Sequence, residues 1–258
     1  MICIRDKMKI SIITVCYNSA STIRDTFESV LTQTYSNIDY IVVDGNSTDT
    51  TVFLIKEYEA KFNGRMRWVS EPDAGLYDAM NKGIEMARGD VIGILNSDDV
   101  FFCSQVLEHI VSSFDLGNDI DAVYGDLYYV VQNNISVIIR KWITGEQAKF
   151  ETGWHPAHPA LYIKRNVYEM YGKFNLCYRI ASDFEIMLRF IDKYHIKLIY
   201  LNEIFVKMRL GGKTNKSFRN IFAQNVEILK AFRENKIYVN YLTYSIKRLV
   251  VKLSQYKK

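Results

Sequence analysis

Over the first hundred residues, short apolar runs alternate with stretches whose apolar positions recur at helical spacing. Lys9–Cys16 (KISIITVC) is a β-branched run, the pattern of a strand covered on both faces. Ile23, Phe27, Val30 and Leu31 then fall on one helical face. Ile38–Asp44 predicts a second buried strand. Val52, Ile55 and Phe62 mark a second helix, entered through the capping residues Ser47, Thr48 and Asp49. Met66–Ser70 predicts a third strand. Leu76, Met80, Ile84 and Ala87 stripe a third helix, which Gly89 is expected to end as its C′ residue. Val91–Leu95 is a fourth strand and runs into Asn96-Ser97-Asp98-Asp99. The order βαβαβαβ predicts a parallel, mostly buried, Rossmann-like sheet.

Beyond residue 100 the pattern loosens. Gln105–Phe114 reads as a helix, and Ala122–Tyr129 with Ile135–Trp142 as an antiparallel pair turning at Gln132-Asn133-Asn134. Ala160–Ile163, Lys197–Leu201 and Ile204–Met208 read as further strands. Ser182–Tyr194 reads as a helix with Phe184, Met187, Leu188 and Ile191 on one side. Gly211-Gly212 breaks the chain, and two helices with no strand signal follow. The expected division is a body, 1–210, and a helical extension, 211–258.

With 48% apolar and 24% charged residues, the 258-residue chain has the balance of a globular protein with a sizeable core. No apolar run approaches the ~20 residues of a bilayer span, and the N-terminus lacks a secretory pattern. Cys3, Cys16, Cys103 and Cys177 lie far apart without a CxxC, so the expectation is a reducing cytoplasm. Net charge is +4, but unevenly spread: residues 211–258 hold 11 Lys/Arg against 2 Asp/Glu, and residues 1–210 hold 22 against 27. An acidic body with a basic tail is not the footprint of a nucleic-acid binder. It suits a body that holds metal and a tail that meets something anionic.

In open α/β sheets ligands bind beyond the carboxyl ends of the strands. Here those ends carry Thr14–Asn18, Asp44-Gly45-Asn46, Glu71-Pro72-Asp73 and Asn96–Asp99. A single strand-end Asp is usually a turn residue, but three acidic ends on one edge repel unless a cation or a donor-rich ligand joins them. Asp98 and Asp99 offer hard oxygen ligands for Mg²⁺ or Mn²⁺. There is no GxxxxGK[ST] and no GxGxxG after the first strand, which leaves a phosphate-bearing ligand held through metal.

These blocks resemble a known family. KISIITVCYN (9–18), VVDGNSTDT (42–50), SEPDAGLYDAMNKG (70–83), ARGD (87–90), LNSDD (95–99) and ASDFEIMLR (181–189) are similar to family 2 glycosyltransferases of GT-A fold, over about residues 8–212. The resemblance implies an α/β fold of GT-A (Rossmann-like) type, a mixed, mainly parallel sheet flanked by helices, here with the helical C-terminal extension. It further implies a nucleotide-sugar donor, a divalent cation (Mn²⁺ or Mg²⁺) and inversion at the anomeric carbon.

Carried over residue by residue, Thr14, Tyr17 and Asn18 border the nucleotide base and ribose, and Asp44 accepts a hydrogen bond from the base. An Asp there suits uracil N3–H, hence a UDP-sugar donor. Asp73 and the Gly75–Asn81 helix start lie where the family closes over the nucleotide. Asn96 replaces the first Asp of the common DxDD form, leaving, on this resemblance, Asp98 for the ribose side and as a second metal ligand beside Asp99. Where the family usually has Glu-Asp followed by x-Glu, this chain has Ser182-Asp183, then Glu185 and Arg189. Asp183 keeps the position of the catalytic base; the bland alternative is that it caps its helix. Within WHPAHP, His158 is expected to line the acceptor pocket and Trp154 to stack on an acceptor sugar or enter the core. Arg209 and Lys213 belong to a segment similar to the loop that folds over the donor diphosphate.

Val239, Leu242, Ile246, Leu249, Val250 and Leu253 fall within an arc of about 100° on a helical wheel. Such a helix either lies on a membrane surface, at the inner face, or packs on the body or a second subunit. Two rival functions remain at this level. The Asn96 and Ser182 departures allow a non-catalytic nucleotide-sugar or partner binder. A nucleotidyltransferase would need a Gly- and Arg/Lys-rich loop that residues 14–22 do not supply.

Overall fold

The computed structural model describes residues 8–117, 119–211 and 218–256. In chain order the elements are β1 (Ile10–Cys16), α1 (Ile23–Leu31), β2 (Ile38–Asp44), α2 (Thr51–Lys61), β3 (Met66–Ser70), α3 (Leu76–Met86), β4 (Val91–Ile94), β5 (Val100–Phe101) and α4 (Val106–Phe114). There follow β6 (Ala122–Val131), β7 (Asn134–Trp142), β8 (Leu161–Lys164), α5 (Arg165–Tyr171), α6 (Ser182–Met187), β9 (Leu198–Arg209), α7 (Phe218–Glu234) and α8 (Tyr241–Ser254). By its contacts the chain divides into two compact units, Met1–Asn118 with Tyr162–Gly172, and Asp119–Leu161 with Lys173–Lys258. The expected boundary near residue 210 falls inside the second unit.

In the first unit the strand order is β3-β2-β1-β4-β8. The first four strands are parallel, as the unbroken apolar runs predict, and β8 pairs antiparallel with β4. Every residue of β1, β2 and β4 is buried, with α1 and α3 presenting Phe27, Val30, Met80 and Ile84 to the core. Full burial of such a side chain contributes roughly 1.5–3 kcal/mol. Because the chain steps outward from β1 to β3 and then returns beside β1 as β4, the order reverses between β1 and β4. That crevice is where such sheets bind ligands.

One expectation changes. Gly89 does not cap α3: the helix ends at Met86, Ala87 is extended, and Gly89 has no positive φ. A side chain at Gly89 would meet the backbone of β1, its nearest atom 2.5 Å from Ser11 N, so the glycine is there for close backbone approach.

In the second unit β6 and β7 form the expected hairpin, and β6 runs parallel to β9. The two strands expected over 197–208 are one strand, β9. Its register against β6 shifts on either side of Asp126, so Asn202-Glu203, which reads as a break in sequence, is an irregularity within the strand. The helix expected over 182–194 starts as α6 and widens into a π-helical stretch, Leu188–Lys193. There the Tyr194 amide donates to the Arg189 carbonyl. Of the C-terminal helices, α7 packs on α6, with Phe232 edge-on to both Phe184 and Tyr244 of α8.

Candidate active site

The carboxyl edge of the first unit gathers the sequence-predicted residues after β1, β2, β3 and β4. Asp44, fully buried at the end of β2, accepts from Ser47 N (2.9 Å), Ser70 Oγ (2.7 Å), Ser47 Oγ and Cys16 Sγ. Burial and then the Asp44 carboxylate push the Cys16 thiol up, so it stays a donor. A carboxylate has about four lone-pair sites, and these four contacts take them. A nucleotide base would reach Asp44 only by displacing one of them.

Asp73 offers more to a ligand. Its carboxylate lies where a side chain on Gly45 would be, with the Tyr17 ring beside the same point. Its Oδ1 accepts from Gly75 N at 2.8 Å, which shapes the turn into α3. Tyr17 is 55% exposed. Asn18, at φ 50°, ties the β1 and β2 loops: its Oδ1 accepts from Thr48 N at 2.9 Å, and its own N donates to Ser47 Oγ at 2.8 Å. Thr14 is fully buried beneath this edge; its hydroxyl donates to the Leu95 carbonyl (2.8 Å) and accepts from Tyr40. Asn81 is half-buried on α3.

Across the β1–β4 crevice the two loops hold each other. Ser19 Oγ and Ser97 Oγ lie 2.9 Å apart, and Thr22 Oγ1 donates to the Ser97 carbonyl at 3.0 Å. Asp99 is fully buried: its Oδ2 accepts from Asn96 Nδ2 (2.9 Å) and its carbonyl from Thr26 Oγ1. Asp98 is half-buried and is the member of the pair with solvent access. Among the described residues no group of three or more His, Cys, Asp or Glu side chains is placed to hold a metal ion. The donor set offered is two adjacent hard carboxylates. It fits a Mg²⁺- or Mn²⁺-like cation that takes its other ligands from water and phosphate.

The second unit holds Asp183, half-buried in the first turn of α6. It is not the helix cap. The amides entering α6, Arg179, Ile180 and Ala181, donate to the Glu227 carboxylate of α7 at 2.8–2.9 Å, and Ser182 is buried with its hydroxyl on the Asn175 carbonyl. Asp183 Oδ1 accepts from the next residue's amide, Phe184 N, at 2.8 Å. Glu185 is 4% exposed, doubly hydrogen-bonded to Arg189 (2.9 and 3.1 Å) and contacted by Asn235 Nδ2. It is a strut, facing away from Asp183 as helical spacing requires.

His155 packs against Trp142, Phe150 and Phe184. Burial pushes it down to about 4, with Asp183 pulling the other way. His158, edge-on to Phe174, is likewise lowered by burial and opposed by Asp183. Asp183 thus sits among neutral imidazoles. Trp154 takes the second of its two expected places: it is 8% exposed, donates to the Thr144 carbonyl at 3.0 Å and meets Tyr124 and Phe150 edge-on, so it is core and offers no stacking face. Arg209 is 5% exposed, its Nε on the Gln132 carbonyl, an anchor at the end of β9 and not a free phosphate ligand. Lys213 lies outside the described residues.

The sequence reading passed over Glu227. One signal was available: it is one of two acids among residues 211–258, a segment with eleven cations.

A family model described as glycosyl transferase family 2 matches residues 11–176. An uncharacterized glycosyltransferase of Mycobacterium tuberculosis is 32% identical over 187 residues, 70% of this chain and 68% of that protein. A PGL/p-HBAD biosynthesis glycosyltransferase of Mycobacterium bovis is 25% identical over 206 residues, 80% of this chain and 78% of its own. Among solved structures, S. aureus TarS 1-349 with UDP-GlcNAc matches at TM-score 0.65 and 14% identity, over 95% of this chain and 72% of that one. The mannosyltransferase PcManGT of Pyrobaculum calidifontis, with GDP-Man and Mn²⁺, matches at TM-score 0.65 and 14% identity, over 96% and 75%. Against a longer TarS chain the match spans 43% of that chain's length.

Proposed function

Because the chain belongs to glycosyl transferase family 2 and has the GT-A fold, we propose that it transfers a sugar from a UDP-sugar to a hydroxyl of a glycan or lipid-linked acceptor, inverting the anomeric carbon. The observation that carries this reading is the convergence of the β1, β2, β3 and β4 ends on one edge, with the β1 and β4 loops hydrogen-bonded to each other at the strand-order reversal. The nucleotide-sugars bound in the TarS and PcManGT structures, UDP-GlcNAc and GDP-Man, support a donor of that class.

On this reading Tyr17 and Asp73 meet the base, with Asp73 accepting its N–H. Asp44, Asn18 and Thr14 hold the loops that carry them, and Asn81 faces the nucleotide from α3. Asp98 and Asp99 are the carboxylates that would hold the divalent cation, Asp98 from the solvent side, with Asn96 fixing the Asp99 carboxylate from behind. When bound, that cation neutralises the negative charge that builds on the departing nucleoside diphosphate. Asp183 serves the acceptor: as the acceptor oxygen bonds to the anomeric carbon and the carbon–phosphate oxygen bond breaks, its carboxylate takes the hydroxyl proton. His158 lines the acceptor side.

Calorimetry of UDP with Mn²⁺ tests the donor half. Wild-type protein is expected to bind, and Asp98→Asn and Asp99→Asn to lose binding without losing their melting transition. Retained affinity in both variants, or in excess chelator, overturns the metal assignment. Donor binding with no transfer to any glycan acceptor favours the non-catalytic binder.

A further inference from the structure

The apolar stripe of α8 does not face the body. Tyr244 (2% exposed) packs on Phe232, Arg248 donates to Asn225 Oδ1 at 2.6 Å, and Gln255, just past the helix, accepts from Arg140 Nε at 2.8 Å. These contacts, with the close approach of Gly153 to the Arg248 backbone, define the inward face. On the opposite side Leu242, Ile246, Leu249, Val250 and Leu253 are 56–73% exposed. At 100° per residue they span an arc of about 100°, centred about 180° from the inward face. Lys247 and Lys252 fall on its two flanks, where long stems can lie along apolar surface with their charge in water.

The stripe continues into the α7–α8 junction. A cavity of about 610 Å³ there is lined by Arg233, Lys236, Tyr238, Asn240, Tyr241 and Leu242. Tyr238 is 87% exposed, an amphipathic ring of the kind that sits at headgroup level. The charge is one-sided. Both acids of residues 211–258 turn to the body: Glu227 holds the amides of 179–181, and Glu234 accepts from the Tyr178 hydroxyl at 2.6 Å.

We propose that the outward face of α8, with Tyr238, Tyr241 and the Arg233–Lys236 notch, lies in the interface of an anionic lipid leaflet. Charge complementarity selects this occupant. A second copy of the chain in a two-fold interface would set the same cation-flanked stripe against itself, whereas an anionic surface attracts every cation on that side. The inference does not rest on the transfer reaction, since the test reads no turnover.

The test is flotation of the full chain with vesicles of phosphatidylglycerol and phosphatidylcholine, against phosphatidylcholine alone. Wild-type protein is expected to float with the anionic vesicles only, and to be released as salt shortens the screening length to about 3 Å. Ile246→Ser with Leu249→Ser is expected to lower partitioning at least about tenfold with an unchanged melting temperature, because both side chains are exposed. Lys247→Gln with Lys252→Gln is expected to weaken binding and flatten its salt dependence. Wild-type protein left at the bottom with anionic vesicles overturns the proposal, as does flotation of the serine variant equal to wild type. A sedimenting dimer that the serine substitutions dissociate would assign the face to a second copy.

Discussion

At the residue scale, His155 and Gly45 show how little chemical change separates a structural role from a functional one. His155 titrates near 4 because its ring is packed among aromatics. A group lowered on folding contributes stability that is complete above its unfolded value of 6.5 and is lost as pH falls toward 4. His155 is therefore expected to contribute up to about 3 kcal/mol to the fall in stability seen in urea titrations over that window, and His155→Asn is expected to flatten the slope, leaving the share of His158, which burial lowers as well. A slope unchanged in His155→Asn places the proton uptake elsewhere. Gly45 needs no unusual backbone angle, so Gly45→Ala is tolerated as a fold. The added methyl displaces the Asp73 carboxylate, the mobile end of a side chain. The expected outcome is a melting temperature near wild type with donor affinity lowered on the order of tenfold, about 1.4 kcal/mol; unchanged affinity would remove Asp73 from the donor site.

At the scale of elements, the parts legible in the sequence are those where burial leaves one reading. β1, β2 and β4 are covered on both faces and so appear as unbroken apolar runs. β9 looks like two strands in sequence because the polar pair Asn202-Glu203 interrupts its apolar pattern, and its irregular pairing with β6 keeps it whole. The α8 stripe was legible as a stripe but not in direction, since periodicity does not say which medium an apolar face meets. Its inward face is built around Tyr244, Arg248 and Gln255, residues with polar ends that a hydrophobicity pattern passes over. Trp154 and Arg209 have the chemistry of ligands, but packing has committed both to the interior. The joint between α6 and α7 is equally invisible in sequence, because it pairs three backbone amides with one distant carboxylate. Glu227→Ala leaves those amides without their charged acceptor and is expected to cost about 2–3 kcal/mol in denaturant unfolding. It is also expected to lower turnover through Asp183 while donor affinity stays unchanged. A loss of donor affinity instead of turnover would contradict this coupling.

At the scale of the molecule, the proposed function assigns donor binding to the first unit and proton removal to the second. The two halves therefore respond differently to substitution: changes at Tyr17, Asp73 and Asp98 act on donor affinity, and changes at Asp183 act on the rate of the chemical step. The measurement that tests this most directly is turnover of Asp183→Asn beside its donor affinity, in the presence of Mn²⁺. Asn keeps the size of the side chain and removes the basic oxygen. The account predicts a fall in kcat on the order of 10²–10⁴, with donor affinity unchanged. Turnover near wild type would show that another group takes the proton, and loss of donor binding would show that Asp183 is structural.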